Sequence, residues 1–413
     1  MSRQTRLTPN LIMAVNPPQQ AIPLPVPGFR IGTASCGVKS PALKGKRTDL
    51  TIIAADVNCH AAATFTQNRL RAACVDLGEQ AVNEHGAEIR AIVANSGNAN
   101  AGTGIREEEW AQMMIAATAE SLAVETHQIL SASTGVIGTP FPIERIQDGI
   151  TEAAACNGEW DDAAQAIRTT DTFAKWTSRR IGDFTITGIA KGSGMIHPNM
   201  ATMLGFIATD APLSREQLQP MLQRVVNKSF NAISVDGDTS TNDTVYLLAS
   251  GLGLGHACLQ DTSAFEAALT DLCIELAQMI VRDGEGVSKF VTLNIEGAAS
   301  EDEARKTGRT IAISPLVKTA FAGSDANWGR IVAAAGNAGI AFDPNRISLK
   351  CDDVVMMENG NLHPDYRDEV GMAVFAKPEF TITLNLGMGD ASVTVWTGDL
   401  THEYITINAE YRT

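Results

Sequence analysis

Segments typical of β-strands alternate along this chain with segments typical of helices, and this alternation limits the folds that the chain can adopt. DLTIIAA at 49–55 and AIVA at 91–94 are short and apolar, which predicts buried strands. A helix is predicted from Ser263, where Ser263 and Glu266 form a capping-box pattern, to the Asp283-Gly284 pair that ends its apolar periodicity. The interleaving predicts a mixed α/β protein.

Three further segments have patterns of regular structure. Core-facing apolar residues predict a helix that begins near Ile105. Ser214 and Gln217 predict the capped start of another helix, in which Pro220 should cost a hydrogen bond and predicts a kink or a later start. FTITLNLGMGDASVTVWTG at 380–398 alternates apolar and polar residues on both sides of a Gly-Met-Gly-Asp turn, which predicts a β-hairpin.

The overall composition narrows the class of protein. The chain has 413 residues, of which 44% are hydrophobic. This is enough for one large core or for two to three ordinary ones, after a proline-rich extended arm that reaches about Phe29. A formal net charge of -15 disfavours nucleic acid as a partner. There is no signal-peptide pattern, no apolar run of membrane-spanning length and no CxxC pair among the seven cysteines. We therefore expect a cytoplasmic protein with reduced thiols and no membrane span.

The segment GIAKGSGMIHPNMATMLGF at 188–206 contains the most suggestive threonine of the chain. Gly192 and Gly194 allow unusual backbone torsions, and Thr202 follows Ala201 directly before an apolar run. A hydroxyl at this position could attack the carbonyl in front of it, and hydrolysis of the resulting ester would free the α-amine of Thr202. That amine, with a pKa of about 7.7–8.0, could then be the general base for its own hydroxyl. The residues alone leave open whether Thr202 is such a nucleophile or a core threonine at the start of a strand.

Seven motifs in one collinear order resemble the ornithine acetyltransferase family of arginine biosynthesis. They are ASTGVIG, TTDTF, KGSGMIHPNMATML, SVDGDTSTNDT, VRDGEGVSKF, GSDANWGRI and the terminal INAEYRT. The resemblance implies self-cleavage between Ala201 and Thr202 into an α chain, 1–201, and a β chain, 202–413. It also implies transfer of an acetyl group from N2-acetyl-L-ornithine to L-glutamate by a ping-pong route, through an acetyl ester on Thr202.

The same resemblance implies roles for residues outside the junction. Thr134 and Gly135 match the oxyanion hole of the family, although a plain turn before a strand would look alike. Lys191 could hold a substrate carboxylate, and Glu285 could pair with the substrate's amino group, although a solvated lysine and a helix end are the simpler readings. The remaining expected substrate contacts are Thr169, with Thr170 as its competitor, Asn408 and Thr413.

Other polar residues suggest no metal centre. Asp236 and Asp238 resemble a calcium-binding loop, but the glutamate that should close such a loop is missing. The seven histidines have no metal-binding spacing, and His197, near the junction, is not required by the self-activating amine. The Asn-rich loop ANSGNANAGTG at 94–104 could line the site or simply be a loop with left-handed torsions. We expect no metal and no cofactor, with acetyl-CoA as an optional co-substrate.

Family resemblance also implies the architecture and the assembly. We expect a layered α-β-β-α sandwich similar to N-terminal-nucleophile hydrolases, with a smaller C-terminal α/β portion whose boundary falls near residue 290, and an α2β2 heterotetramer of the cleaved chains. Whether acetyl-CoA is also a donor stays open. Two rival hypotheses are a self-processing aminopeptidase or amidase that uses Thr202 with water as acceptor, and an inactive scaffold with the same fold.

Overall fold

The computed structural model describes residues 14–197, 203–253, 259 and 261–409, and regular elements alternate throughout them. The strands are β1 (Phe29–Ala34), β2 (Leu50–Phe65), β3 (Ile89–Asn95), β4 (Ile129–Ser133), β5 (Lys175–Ile181), β6 (Phe184–Lys191), β7 (Leu204–Thr209), β8 (Ile233–Ser234), β9 (Thr244–Ala249), β10 (Phe290–Ala298), β11 (Ser348–Cys351), β12 (Val354–Glu358), β13 (Asn361–Leu362), β14 (Glu379–Asn385) and β15 (Ala391–Gly398). The α-helices are α1 (Ala73–His85), α2 (Arg106–Leu122), α3 (Ile143–Ala153), α4 (Trp160–Ala166), α5 (Arg215–Lys228), α6 (Ser263–Arg282), α7 (Glu301–Ala312), α8 (Pro315–Ala322), α9 (Trp328–Gly336), α10 (Asp368–Phe375) and α11 (His402–Ala409).

The 16-residue strand β2 belongs to two sheets. Its first half pairs with β1 on one side and β3 on the other, and β3 pairs in parallel with β4. Its second half pairs with β9, and the order of that sheet continues as β7, β6 and β5. One strand long enough to leave the first sheet and enter the second therefore joins the two.

The two sheets that β2 joins lie between two layers of helices, as the alternating side chains of their strands show. In the first sheet, Leu50 and Ile52 pack against α2 and α3, whereas Ile53 faces the second sheet. In the second sheet, Phe206 faces the first sheet, whereas Ile207 packs against α5 and α6. Because successive strand residues point to opposite faces, two half-apolar sheets stack between two helical layers. The structure confirms the predicted α-β-β-α sandwich.

A second, smaller α/β portion follows, and it too was predicted. Its sheet has the order β13, β12, β11, β14, β10, β15 and β8, and its core includes apolar side chains of α7, α8, α9 and α10. The strand β8 lies far upstream in the sequence and pairs in parallel with β15, with Ile233 opposite Trp396. The smaller portion is thus bound to the sandwich through a strand as well as through the chain.

The predicted hairpin at 380–398 is wrong. The strands β14 and β15 do not pair with each other, because β10 lies between them, parallel to β14 and antiparallel to β15. The connecting turn crosses the end of β10, where the N–H groups of Leu386 and Met388 donate to the carbonyls of Glu296 and Gly297. Alternating apolar and polar residues indicate that a strand has one buried face, but they do not indicate which strand pairs with it.

Local predictions for the helices have mixed outcomes. The capping box of Ser214 and Gln217 is present at the start of α5, and the predicted later start is wrong, since α5 runs through Pro220 with five apolar side chains buried. The capping box predicted for α6 is absent: Thr262 is the cap residue, and the Ser263 N–H donates to Asp261 Oδ1 at 2.9 Å. The predicted helix near Ile105 is α2, beginning at Arg106.

The cysteines and the helices of the described part of the chain bear on two expectations from composition. Six of the seven cysteines lie there, and all six are free thiols, whereas Cys258 lies outside the described residues. None of the helices that the structure describes combines the length and the hydrophobicity that a membrane span requires.

The interface between the two sheets should dominate the stability of the sandwich. Leu248 is fully buried there, so we expect Leu248→Ala to lower the free energy of unfolding by about 2–5 kcal/mol, because it removes buried apolar surface and leaves a cavity. The control Leu316→Ala, at a side chain that is 62% exposed, should change it by no more than about 0.5 kcal/mol. Urea unfolding followed by circular dichroism compares the two variants, and equal losses would contradict the layer assignment.

Candidate active site

One cavity of about 250 Å³ collects all the predicted site residues that the structure describes. Its walls come from the ends of β4 and β6, the start of β7, the turn after α6, and α11. The residues gathered there are Thr134, Gly135, Thr169, Lys191, Glu285 and Asn408. Ala201, Thr202 and Thr413 lie outside the described residues, but Met203, which follows Thr202 in the sequence, lines the cavity. The roles of these residues stay predictions.

The turn after β4 carries two hydrogen-bond donors at the cavity. Gly135 has a φ of +133°, and a Cβ atom there would lie 2.3 Å from the backbone carbon of Gly97, so only glycine fits. The Thr134 N–H is already used, because it donates to the Asn95 carbonyl at 3.1 Å. Neither the Thr134 hydroxyl nor the Gly135 N–H has a hydrogen-bond partner among the described residues. These two groups are the donors that an oxyanion could use.

The asparagines of the loop that follows β3 support this turn and do not line the cavity. The side-chain amide of Asn95 donates to the Asn98 carbonyl at 2.8 Å, and that of Asn98 donates to the Pro140 carbonyl at 2.9 Å. The amide of Asn100 donates to the Glu107 carbonyl at 2.7 Å. Of the two alternatives that the sequence left open, the structure therefore favours the loop, although its left-handed torsions lie at glycines and not at these asparagines.

A fully buried ion network lies behind the cavity. Lys175 Nζ is 2.7 Å from Asp171 Oδ1 and 2.6 Å from Asp283 Oδ2, and none of the three side chains is exposed. Asp171 also accepts hydrogen bonds from the N–H groups of Gly192, at 2.7 Å, and Thr169, at 2.9 Å. The network thus ties together the Thr169 loop, the end of β6 and the end of α6, each of which carries part of the cavity wall. Sequence reasoning missed it because Lys175 and Asp283 are 108 residues apart.

The charges of the network are set by opposing effects. Burial alone would raise the pKa of Asp171, but the ammonium groups of Lys175 and Lys191 outweigh it and hold that pKa well below its usual range. Burial raises the pKa of Asp283, which shares the Lys175 ammonium but has no second lysine beside it. The result is a firmly ionised carboxylate at the hydrogen bonds that fix Gly192 and Thr169.

Lys191 and Glu285 bring opposite charges to the cavity. Lys191 is 8% exposed, and burial lowers its pKa against the attraction of Asp171, Asp243 and Glu285. Its ammonium has no hydrogen-bond partner among the residues that the structure describes. Burial raises the pKa of the Glu285 carboxyl, which accepts a hydrogen bond from the Asn408 amide at 2.8 Å. A buried cation and carboxylate with spare hydrogen-bonding capacity suit an amino-acid ligand.

Close packing explains two of the glycines around Glu285. A Cβ atom on Gly194 would lie 2.4 Å from the Glu285 carboxyl carbon. The turn can therefore pass this close to the Glu285 side chain only because residue 194 is glycine. Thr170, the competitor of Thr169, also lines the cavity, and its hydroxyl lies 2.6 Å from the Ser193 hydroxyl. On the other side, Gly286 has a φ of +69°, and a Cβ there would lie 2.4 Å from the Tyr404 nitrogen.

The C-terminal helix is held against the cavity at both ends. The Thr401 hydroxyl, just before α11, donates to the Gly286 carbonyl at 2.6 Å. Near the end of α11, Asn408 reaches Glu285. These contacts give α11 the fixed position that a substrate-binding role of Asn408 requires.

Asp236 anchors the segment that leads to the proposed junction. Its carboxylate accepts hydrogen bonds from the N–H groups of Met195, at 2.6 Å, and Ile196, at 2.8 Å, and Met195 has a left-handed φ of +57°. This aspartate therefore holds a strained turn. His197 follows the turn, and burial and the nearby Arg309 lower its pKa to about 4. A neutral His197 cannot supply a positive charge to the site at neutral pH.

One group of possible metal ligands lies apart from the cavity. His85, Glu88 and His127 bring one ligand atom each within 4.8 Å of one another at the surface, and Glu88 Oε2 is 3.2 Å from His127 Nε2. Residue spacing could not reveal this group, because His127 comes from a different part of the chain. None of its members lines the cavity.

The family model and the relatives that match this chain all concern ArgJ proteins. The model of the ArgJ family matches residues 30–413. An "Arginine biosynthesis bifunctional protein ArgJ" from Pseudomonas fluorescens is 44% identical over 400 residues, which are 94% of this chain and 97% of that protein. The protein of the same name from Chlorobaculum tepidum is 45% identical over 392 residues, which are 93% and 96% of the two chains. A crystal structure of an ArgJ protein from Bacillus halodurans is 38% identical and aligns with a TM-score of 0.47 over 48% of this chain and 95% of its own.

The ion network should be essential for the fold around the cavity. We expect Lys175→Met to lower the free energy of unfolding by about 3–5 kcal/mol, because two buried carboxylates lose their counter-charge. The loss should be full above about pH 4, the ordinary pKa of an aspartate in the unfolded chain, and should shrink below it, because the unfolded chain then binds a proton at Asp171 that the folded wild type, with its lowered pKa, does not bind. Denaturant unfolding at pH 7 and pH 3 measures both effects.

The matched control is Lys377→Met, which removes an exposed lysine that pairs with Asp352 at 2.7 Å. Solvent screens that pair, so this variant should unfold close to the wild type. A Lys175→Met protein as stable as the control would show that the network does not hold the cavity walls.

Proposed function

This chain belongs to the ArgJ family, and on that premise we propose that its cavity transfers an acetyl group from N2-acetyl-L-ornithine to L-glutamate. The chain is an acyltransferase of arginine biosynthesis, in agreement with curated relatives that are 44–45% identical over nearly all of their length. The observation that most directly supports the finer proposal is that six predicted residues from separate elements surround one cavity whose wall includes Met203.

The proposed nucleophile is Thr202, freed by cleavage of the Ala201-Thr202 bond. Its neighbour Met203 has a fixed position, because the Met203 carbonyl accepts a hydrogen bond from the Thr244 N–H at 3.1 Å. Leu204 is then paired with Lys191 on one side and Thr244 on the other. A nucleophile attached to this ordered strand start would be oriented by the sheet, and its own α-amine would accept the hydroxyl proton.

The proposed chemistry has two balanced half-reactions. Thr202 Oγ attacks the acetyl carbonyl of N2-acetyl-L-ornithine, the carbon–nitrogen bond breaks, and ornithine leaves with the proton taken from the hydroxyl. The α-amine of L-glutamate then attacks the acetyl ester, the carbon–oxygen bond breaks, and the proton returns to Thr202. Each step passes through an oxyanion that the Thr134 hydroxyl and the Gly135 N–H would stabilise.

Recognition of both amino acids would use one set of groups. The Lys191 ammonium would hold a substrate carboxylate, and the Glu285 carboxylate would pair with an ornithine amino group, with Asn408 fixing its orientation. Thr169 and Thr413 complete the proposed substrate contacts. Because ornithine and glutamate bind in turn, a ping-pong route needs only one such site.

We expect an α2β2 heterotetramer of the cleaved chains in the cytoplasm, with no metal and no cofactor, since the two half-reactions need neither. The hydrolase alternative is not favoured, because the curated relatives are biosynthetic proteins.

Self-cleavage and acetylation can be detected together by mass spectrometry. We expect the wild type to give two chains, the second beginning at Thr202, and this chain to gain one acetyl group after brief mixing with N2-acetyl-L-ornithine. Thr202→Ala should stay intact and gain nothing, because the hydroxyl is required for both steps. A wild-type protein that is intact and unmodified would reduce Thr202 to a structural residue.

The role of Lys191 can be separated from cleavage. Lys191→Met should lower kcat/KM for acetyl transfer about 10- to 100-fold, because a charge-assisted hydrogen bond to a carboxylate is lost. Cleavage should continue, since no substrate carboxylate takes part in it. Lys350→Met, which replaces an exposed lysine, is the control. Equal loss of cleavage and transfer would mean that Lys191 supports the fold and does not bind substrate.

A further inference from the structure

Three side chains that can bind a metal ion meet at one edge of the first sheet, outside the catalytic cavity. Glu88 Oε2 is 3.2 Å from His127 Nε2 and 3.9 Å from His85 Nδ1. The two imidazole rings lie beside each other, with their centroids 4.4 Å apart and their planes at 42°. A simple surface pair of Glu88 with His127 would explain the shorter distance, but it would not require His85 at the same carboxylate oxygen.

The strand order brings Glu88 and His127 to the same place. Glu88 directly precedes β3, and His127 lies in the short 3-10 helix Thr126–Gln128, which directly precedes β4. Because β3 and β4 are parallel neighbours, the residues in front of them meet at one edge of the sheet. His85 is the last residue of α1, and the turn after it leads into β3. Three regular elements thus end or begin at this group.

Hydrogen bonds fix the backbone that carries the three side chains. The Glu88 N–H donates to the His85 carbonyl at 2.9 Å, which closes the turn after α1. The Gln128 amide donates to the Glu88 carbonyl at 3.0 Å and to Asn58 Oδ1 at 3.1 Å. The segment of His127 is thereby tied to the start of β3. The three side chains therefore extend from a backbone that is already in place.

The spacing of the ligand atoms is close to what a metal ion requires. Zinc binds histidine nitrogens at about 2.0–2.1 Å and carboxylate oxygens at about 2.0–2.2 Å, so the ligand atoms of a tetrahedral site lie about 3.3–3.5 Å apart. The distance of 3.2 Å between Glu88 and His127 already agrees, and no two ligand atoms of the group are more than 4.8 Å apart. Side-chain rotations that shorten the longest distance by about 1.5 Å or less would complete the set.

The surroundings favour a cation. His85 and Glu88 also line a surface cavity of about 230 Å³, whose charged side chains are those of Glu84, Glu88, Glu216 and Arg215. Glu84 Oε2 lies 4.0 Å from His85 Nε2, the ring nitrogen that would not bind the ion. After a small rotation this carboxylate can accept a hydrogen bond from Nε2–H. A carboxylate at this position orients a histidine ligand and raises its basicity.

We propose that His85, Glu88 and His127 bind one divalent transition-metal ion, with zinc as the best match and a water molecule as the fourth ligand. Two imidazoles and one carboxylate suit zinc better than Mg²⁺ or Ca²⁺, which prefer oxygen ligands. The ion would join the end of α1 to the starts of β3 and β4, so its role would be structural.

This site goes beyond the proposed acetyl transfer. The expectation of no metal rested on the spacing of histidines in the sequence and on the chemistry of the reaction. Neither reveals a group that forms only in the folded chain, with His127 coming from 39 residues beyond Glu88. None of the three residues lines the catalytic cavity, and the two half-reactions still need no metal.

Zinc binding can be measured directly by isothermal titration calorimetry. The purified protein is freed of metal with EDTA, dialysed, and titrated with ZnCl2 and separately with MgCl2. We expect one zinc ion for each copy of the sequence and no binding of Mg²⁺, because imidazole nitrogens select the softer ion. At about 100 times its Kd, zinc should raise Tm by on the order of 3 °C, because these ligands converge only in the folded protein.

Two variants and a control assign the ligands. His127→Gln and Glu88→Gln each remove one ligand at a side chain that is 36% or 52% exposed, so without zinc both should melt close to the wild type. Each should weaken zinc binding by at least about 10- to 100-fold, since loss of a partner outside the metal ligands already has that effect. His402→Gln, at an exposed histidine outside the group, should bind zinc like the wild type.

The outcomes are independent of acetyl transfer, because neither calorimetry nor melting uses a substrate. One zinc ion that is weakened in His127→Gln and Glu88→Gln but not in His402→Gln would establish the site, whether or not the chain cleaves itself. No zinc binding by the metal-free wild type, or equal affinity for Mg²⁺, would overturn it. Wild-type zinc affinity in both ligand variants would also overturn it, because the ion would then bind to other groups such as thiols.

Discussion

The buried pairing of Lys175 with Asp171 and Asp283 is the interaction on which the catalytic cavity depends. A buried ammonium group that has no contact with water is stable only if carboxylates lie next to it. The strand that carries Lys175 must therefore pack where the carboxylates of Asp171 and Asp283 both reach its ammonium. The gain in free energy over an apolar cluster of the same size is small or negative. What the network provides is a defined position for Thr169, Gly192 and the turn that carries Glu285.

The layers of the sandwich explain why the cavity can be both polar and rigid. Apolar side chains fill the space between the sheets, whereas polar groups emerge where β4, β6 and β7 begin or end. The backbone turns there need left-handed or crowded conformations at Gly135, Met195 and Gly286. Packed strands on both sides hold these turns in place, so donors and charges can be fixed before any ligand arrives.

Sequence patterns predicted the features that depend on residues close together in the chain. They missed strand pairing and ion pairing between residues far apart in the chain. The buried strands and the apolar face of α5 follow from local alternation and helical spacing, and motif resemblance indicated residues that do share one cavity. The hairpin failed because β10 arrives from 290–298 to separate β14 from β15, and no local pattern records that insertion. No local pattern singles out Lys175, since its partner Asp283 lies 108 positions away.

The strand order of the second sheet determines whether folding or cleavage of the chain would have to come first. If the chain is cut before Thr202, β9 and β7 belong to the later fragment, yet β2 flanks them on one side and β6 on the other, and both of these belong to the earlier fragment. Neither fragment contains all the strands of the second sheet, so neither can form the sandwich by itself. In a protein cut at this point, the sandwich would therefore assemble before the cut, and refolding after denaturation would lack the covalent connection that guided the first folding.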